Sequence, residues 1–285
     1  MKNKYIITSL FIPGLFVASA QGQVLATWSA DADASGPDIT WTDSSANTND
    51  LTFKTTNNLF GSNSDGVPVT GITGQSFTSA YSFGDRDDPA GAGVSGSFFS
   101  GETVGAGEIF QVDVMFNADN ITQKSTLFSD GGLARGYSLN LDGGNLRFLL
   151  KEGQGNGDDS KVNLLSSTAV TAGSWNLATV QISSDLNTVD LFLNGSNVGT
   201  ITGTTIGDFT GNNHTAIGMY SGSQDQIGGA DNAADADDTD LVTEFSAFTG
   251  DVAYVEVAIV PEPSAFGLVF GGLAILFVGS RRRRA

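Results

Sequence analysis

Six aspartates crowd one short stretch of this chain. In SQDQIGGADNAADADDTD, residues 223–240, Asp225, Asp231, Asp235, Asp237, Asp238 and Asp240 stand among small residues. Carboxylates this close repel one another unless water solvates them or a hard cation, which takes six to eight oxygens, bridges them. The run therefore reads either as a calcium site or as a solvated acidic excursion. An EF-hand it is not, because that loop needs a central glycine and a closing glutamate at fixed positions. Asp85, Asp87 and Asp88 form a weaker second candidate around Arg86, whose charge can neutralise them without an ion.

Calcium is the one cofactor these patterns point to, and catalytic constellations are thin. The single histidine, His214, has no cysteine and no second histidine to join it, which removes the usual zinc clusters and the Cys-His dyad. A Ser-His-Asp triad needs a positioned serine, and Gly93-Val94-Ser95-Gly96 lacks the Gly-x-Ser-x-Gly spacing of a nucleophile elbow. Glycoside hydrolysis needs two carboxylates across the scissile bond. Glu108 is followed by Phe110 where a second carboxylate would stand, and Asp251 and Glu256 are five apart, on opposite faces of a regular strand. No catalytic residue is expected.

Charge narrows the partners. The 285 residues carry 31 acidic and 13 basic side chains, a net charge of −18. Between positions 21 and 260 the balance is 7 basic against 30 acidic, a net of −23. Nucleic acid and anionic lipid are repelled by such a body, whereas divalent cations and neutral polymers are not. Cysteine is absent, so the fold rests on core burial, and a 40% hydrophobic content over this length supplies one large core or two modest ones.

The elements that must position these groups are strands. In EIFQVDVMF, Phe110, Val112, Val114 and Phe116 share one face and Ile109, Gln111, Asp113 and Met115 the other, a two-residue period. GYSLNLD (136–142) and NLRFLL (145–150) flank Gly143-Gly144 as a hairpin. SWNLATVQIS (174–183) and TVDLFLNG (188–195) make a second, and 24–29, 76–83, 197–202, 215–221 and 247–260 read as further strands. No long helical stripe interrupts them outside the two terminal hydrophobic runs. An all-β, two-sheet antiparallel sandwich is predicted.

The order of pieces resembles the laminin-G-like or concanavalin A-like jelly roll: a tryptophan strand from Trp175, a strand closing in Asn194-Gly195, Ile217-Gly218, and Phe248-Thr249-Gly250 before the last strand. The resemblance is best over 105–259, within a sandwich expected to span 21–259. It implies the fold, and for the glucanases among its members a Glu-x-Asp-x-x-Glu strand that this chain lacks. Trp28, Trp41, Tyr81, Tyr137 and Tyr220 are offered as platforms for stacking on sugar rings, against the plainer reading that sandwich aromatics are core.

Both ends carry addresses. Residues 1–20 have Lys2 and Lys4, an apolar run from Tyr5 to Val17, and Ala18 and Ala20 where signal peptidase needs small residues. At the other end Val260-Pro261-Glu262-Pro263 precedes an uncharged run, 265–279, and then Arg281, Arg282, Arg283 and Arg284. As a helix that run rises about 22 Å against a hydrocarbon core of roughly 30 Å, and the arginines stay on the cytoplasmic side. Proline holds the preceding segment extended, as a peptide accessible to an enzyme. The ending, spanning 260–285 with a hydrophobic helix over 264–280, resembles the PEP-CTERM sorting signal of Gram-negative bacteria. That resemblance implies recognition by exosortase, a membrane protease or transpeptidase, and a transient stay in the inner membrane.

Together these features predict an exported, non-catalytic protein of the cell surface or extracellular matrix that binds carbohydrate or another surface polymer. The alternatives are a glycoside hydrolase of concanavalin A-like fold and a purely structural surface protein with no small ligand.

Overall fold

The computed structural model describes residues 22–31, 40–53, 69–70, 76–77, 80–83, 92–95, 104–131, 136–151, 160–183, 185, 187–203, 214–218 and 246–262. Every regular element among them is a strand. The first seven are β1 (Gln23–Ser29), β2 (Thr40–Trp41), β3 (Leu51–Phe53), β4 (Val69–Thr70), β5 (Ser76–Phe77), β6 (Tyr81–Phe83) and β7 (Ala92–Ser95). Then come β8 (Glu108–Ala118), β9 (Ser125–Gly131), β10 (Gly136–Asp142), β11 (Asn145–Lys151), β12 (Ser160–Ala169) and β13 (Trp175–Ile182). The last five are β14 (Thr188–Leu193), β15 (Ser196–Thr202), β16 (His214–Ile217), β17 (Ser246–Ala247) and β18 (Gly250–Pro261).

They form the expected sandwich. One sheet runs β1-β18-β8-β13-β14-β15, with β6 beside β18, and the other runs β12-β11-β10-β9-β16-β7-β3-β2, with β17 beside β9. Pairing is antiparallel throughout both sheets except for the short β17 contact. Residues before 104 join both sheets: β1 and β6 flank β18, and β3 pairs with β7.

Both predicted hairpins form in register. Asp142 faces Asn145 around Gly143 and Gly144, whose φ values of 58° and 92° suit glycine. The second joins β13 to β14, with Ile182 facing Val189; the turn after it, Asn194-Gly195 between β14 and β15, lies at φ 53° and 76°, the primed geometry that matches strand twist. Asn176 holds it: Leu177 N–H donates to Asn194 Oδ1 at 2.9 Å, and the buried Asn176 accepts from Asn194 Nδ2 at 3.3 Å while donating to the Thr171 and Ser174 carbonyls.

The alternation in β8 sorts as read. Phe110, Val112, Val114 and Phe116 enter the core between the sheets, where Phe110 meets Tyr137 edge-on at 5.6 Å and Phe116 meets Phe248 at 6.1 Å. Two glycines of the jelly-roll pattern are steric necessities. A β-carbon on Gly218 would lie 2.6 Å from the Phe83 ring, and one on Gly250, at φ 138°, would lie 2.2 Å from the Asn117 carbonyl oxygen.

Gly250→Ala is therefore expected to cost about 3–5 kcal/mol, the range of strain that the surrounding backbone cannot relieve. Gly143→Ala, with nothing within 4 Å and only its φ against it, costs about 1 kcal/mol. Denaturant melts of the two variants check the contrast.

Candidate functional site

A ligand site needs polar groups that solvent reaches, and the two outer faces differ in this. On the second sheet Thr126, Ser138 and Asn140 are buried and bonded to one another: Thr126 Oγ1 donates to Asn140 Oδ1 and Asn140 Nδ2 donates to Ser138 Oγ, each at 2.9 Å. That network is closed. On the first sheet strand register lines up a half-exposed polar surface instead.

One row crosses Thr27, Glu256, Asp113, Thr179 and Phe192, each opposite the next on the neighbouring strand. The next row holds Ala258, Gln111, Gln181, Asp190 and Thr200. These rows exist because the intervening residues of every strand point into the core, which leaves polar residues to alternate outward. Hydrogen bonds tie the rows together. Gln181 Nε2 donates to Gln111 Oε1 at 2.8 Å, and Gln111 Nε2 donates to Asp113 Oδ2 at 2.7 Å. Thr179 Oγ1 donates to Asp113 Oδ1, and Thr200 Oγ1 and Asn197 Nδ2 donate to Asp190 Oδ1. Glu256 Oε2 accepts from Tyr254 and, at 3.3 Å, from Thr27.

Asp113 stands directly opposite Glu256. Directly opposed side chains have β-carbons about 5 Å apart, so the carboxylates feel each other. Asp113 is only 4% exposed. Burial pushes its carboxyl above the usual value, the bonds from Thr179 and Gln111 pull it down, and the Glu256 charge pushes it up again.

The pair was not legible in the sequence, where only carboxylates on a single strand could be compared. That comparison also needs correcting. A bulge at Ala253, where the β8 to β18 register shifts between Val252 and Tyr254, reverses the parity of the strand. Asp251, opposite Asn117, and Glu256, opposite Asp113, therefore share the outer face. They remain two rows apart, about 13 Å at two residues per row, beyond the separation that paired glycosidase carboxylates use.

The proposed aromatic platforms also need correcting. Trp28 and Trp41 are 0% exposed, Tyr81 6% and Tyr137 5%, all within the core between the sheets. Trp28 Nε1–H donates to the Asn49 carbonyl, and Trp41 packs on Tyr81 at 4.6 Å. Burial first, and then the Asp130 charge, push the Tyr137 phenol well above its ordinary value. Each ring sits at a strand position whose side chain points between the sheets. Among the described residues the partly exposed rings of the first sheet's outer face are Trp175, packed against a second cluster that includes Met115, Leu177 and Tyr254, and Phe192.

The described part of the expected sorting segment, 260–262, is extended, as proline requires, but its main chain is engaged. Val260 faces Ile109, Pro261 faces Glu108, and Glu262 N–H donates to the Gly107 carbonyl at 2.8 Å. Pro263, Arg281, Arg282, Arg283, Arg284, Ala18, Ala20 and Tyr220 lie outside the described residues, as do Asp85, Asp87 and Asp88. So do the six aspartates of the calcium candidate, Asp225, Asp231, Asp235, Asp237, Asp238 and Asp240. Among the described residues no group of three or more His, Cys, Asp or Glu could hold a metal, and no helix is long and apolar enough to cross a membrane. His214 opens β16, opposite Ser95 and Gly131.

Residues 99–232 match Laminin_G_3, the concanavalin A-like lectin/glucanases superfamily. No curated protein matches the chain. Among solved structures, the CBM40 of a Ruminococcus gnavus IT-sialidase bound to alpha2,3 sialyllactose is 18% identical, with 58% of this chain and 84% of that chain covered and a TM-score of 0.41. The binding domain of botulinum neurotoxin DC in complex with SialylT is 12% identical, with coverage of 88% and 52% and a TM-score of 0.48, so the chain spans about half of that one. Domain 4 of AbnA, a GH43 extracellular arabinanase from Geobacillus stearothermophilus, in complex with arabinotriose, is 12% identical, with coverage of 85% and 95% and a TM-score of 0.44. The concanavalin A-like match contains β8 to β16 and so most of the polar rows, while Glu256 and Thr27 lie beyond it.

A raised folded-state carboxyl makes a signed prediction. Asp113 favours the folded state below its unfolded value of 3.8, and that contribution is lost as pH rises through the higher folded value. Asp113→Asn keeps an acceptor for Thr179 and cannot ionise. Its melting temperature, followed from pH 3 upward, is expected to lack the part of the decline that the wild type shows above 3.8.

Proposed function

We propose that this chain is an exported, non-catalytic surface or matrix protein whose jelly roll binds a carbohydrate or another surface polymer. In this reading the tail hands it to an exosortase-type membrane protease or transpeptidase. The observation that carries the binding half is the outer face of the first sheet. Gln111, Gln181, Asp190 and Thr200 present amide, carboxylate and hydroxyl groups beside the ring of Phe192, the mixture that recognises a hydroxyl-rich ligand with apolar ring faces. The match to a superfamily of lectins and glucanases supports a glycan as that ligand. Glu256, Asp113 and Asp190 line the face with negative charge, which favours a neutral polymer over an anionic one.

Glycan cleavage is the second reading, and the opposition of Asp113 and Glu256 favours it. Binding remains the better account because Asp113 is almost wholly buried and both its oxygens accept bonds from Thr179 and Gln111. A carboxylate so enclosed cannot reach a scissile bond. Calcium in the 223–240 loop belongs to this proposal as an accessory to binding.

Glycan-array measurements are expected to show binding to neutral polysaccharides, weakened about five- to tenfold by Phe192→Ala as one aromatic contact of about 1 kcal/mol is lost. A chelator that abolishes binding identifies the calcium contribution. Release of reducing sugar that Glu256→Gln abolishes would replace binding by cleavage.

A further inference from the structure

We infer that the folded sandwich guards the Val260-Pro261-Glu262 segment and sets the earliest bond a processing peptidase can cut, beyond Glu262–Pro263. This rests on the reading of the tail as a sorting signal and adds a constraint that the tail alone does not contain.

The guard has two sides. On one, β18 continues its ladder against β8 as far as Pro261, and Glu262 N–H closes onto the Gly107 carbonyl at 2.8 Å. Proline is tolerated there because it sits at the strand's end, where a missing amide costs least. On the other side Gly22 lies flat against the same segment. A β-carbon at Gly22 would sit 2.9 Å from the Ile259 carbonyl oxygen, 3.2 Å from Val260 Cα and 3.3 Å from Pro261 Cδ. Gln23 faces Ile259 as β1 begins.

A peptidase that binds its substrate as an added strand needs a main chain free to pair with it. The main chain of Val260 to Glu262 is already engaged. Freeing it means peeling the end of β18 from β8, and the cut is then slowed by the rarity of that opening. Hydrolysis beyond Glu262–Pro263, with the upstream pairing residues drawn from position 263 onward, avoids this cost. Water adds across the bond, the upstream residue becomes a carboxylate and the downstream residue leaves as an amine. Because β1 and β18 run antiparallel, the chain enters the sandwich at Gly22 beside the point where it leaves at Glu262. The start of the mature chain is thus part of the guard.

Brief digestion of the folded full-length protein with proteinase K, followed by intact mass, tests this. Expected are products ending after Glu262, with no cut from Gly250 through the Glu262–Pro263 bond. Gly22→Val must push the strand end away, and cuts before Glu262 are expected to become about tenfold faster, the equivalent of an opening shifted by about 1.4 kcal/mol. Gly22→Ala, which adds only the clashing methyl, gives the same direction if the valine variant does not fold. Wild-type cleavage between Val260 and Glu262 as fast as cleavage further along overturns the guard. Protein recovered from a cell surface separates this from the sorting reading. A product ending before Pro261 sinks the guard and leaves sorting standing. A product still ending at Ala285, alongside the expected digestion pattern, supports the guard and sinks sorting.

Discussion

The last strand closes the molecule. β18 lies between β8 on one edge and β1 and β6 on the other, so the first and final described strands are neighbours, and Thr27 reaches Glu256 across 229 positions of sequence. Closing a loop of that length costs little more free energy than closing a shorter one, because the entropy grows only as a logarithm. Its kinetic consequence is larger, since distant pairings form late. β1 and β6 have no place in the first sheet until β18 arrives.

The first sheet presents two chemistries on its two sides. Inward, Phe110, Val112, Val114 and Phe116 join the core, where Phe110 meets Tyr137 of the opposite sheet, and a chain without cysteine holds its layers together through this apolar contact. Outward, the same strands carry Gln111, Asp113, Thr179 and Gln181 in a bonded chain. A carboxylate as enclosed as Asp113 is costly, and the donors from Thr179 and Gln111 offset part of the penalty while Glu256 adds to it. A group retained against such a balance fixes the positions of its neighbours. Gln111 and Gln181 are oriented by it and so present a defined pattern to solvent.

Strand content, both hairpins and the inward residues of β8 were legible, because alternation and short turns rich in Gly, Asp and Asn act over a few residues. β9, with its serines, and β12 escaped notice because neither alternates cleanly. The predicted strand over 76–83 divides into β5 and β6. Three features of the site were hidden for a shared reason: each depends on which strands become neighbours. The partnership of Asp113 with Glu256, the bulge at Ala253 that turns Asp251 to the same face, and the burial of Trp28 and Tyr137 are all set by sheet order. Nothing in a linear pattern fixes that order. Asn176 braces the Asn194-Gly195 turn, and an amide on the otherwise apolar inward side of β13, beside Ala178, Val180 and Ile182, was the available signal.

One strand also couples features that sequence alone would keep apart. Val255, Val257 and Ile259 of β18 face the core, Tyr254 and Glu256 belong to the outer polar face, and Val260 and Pro261 open the proposed sorting segment. The ladder to β8 fixes all three groups at once, so a shift of one residue would expose the core residues, bury Glu256 and displace Pro261 from the strand's end. The Ala253 bulge lets a single strand meet these demands. It absorbs the extra residue between Gly250, which must lie flat against Asn117, and Tyr254, which must turn outward onto Phe77 at 5.0 Å. Core packing, the candidate ligand face and the end of the folded body are therefore three readouts of a single register.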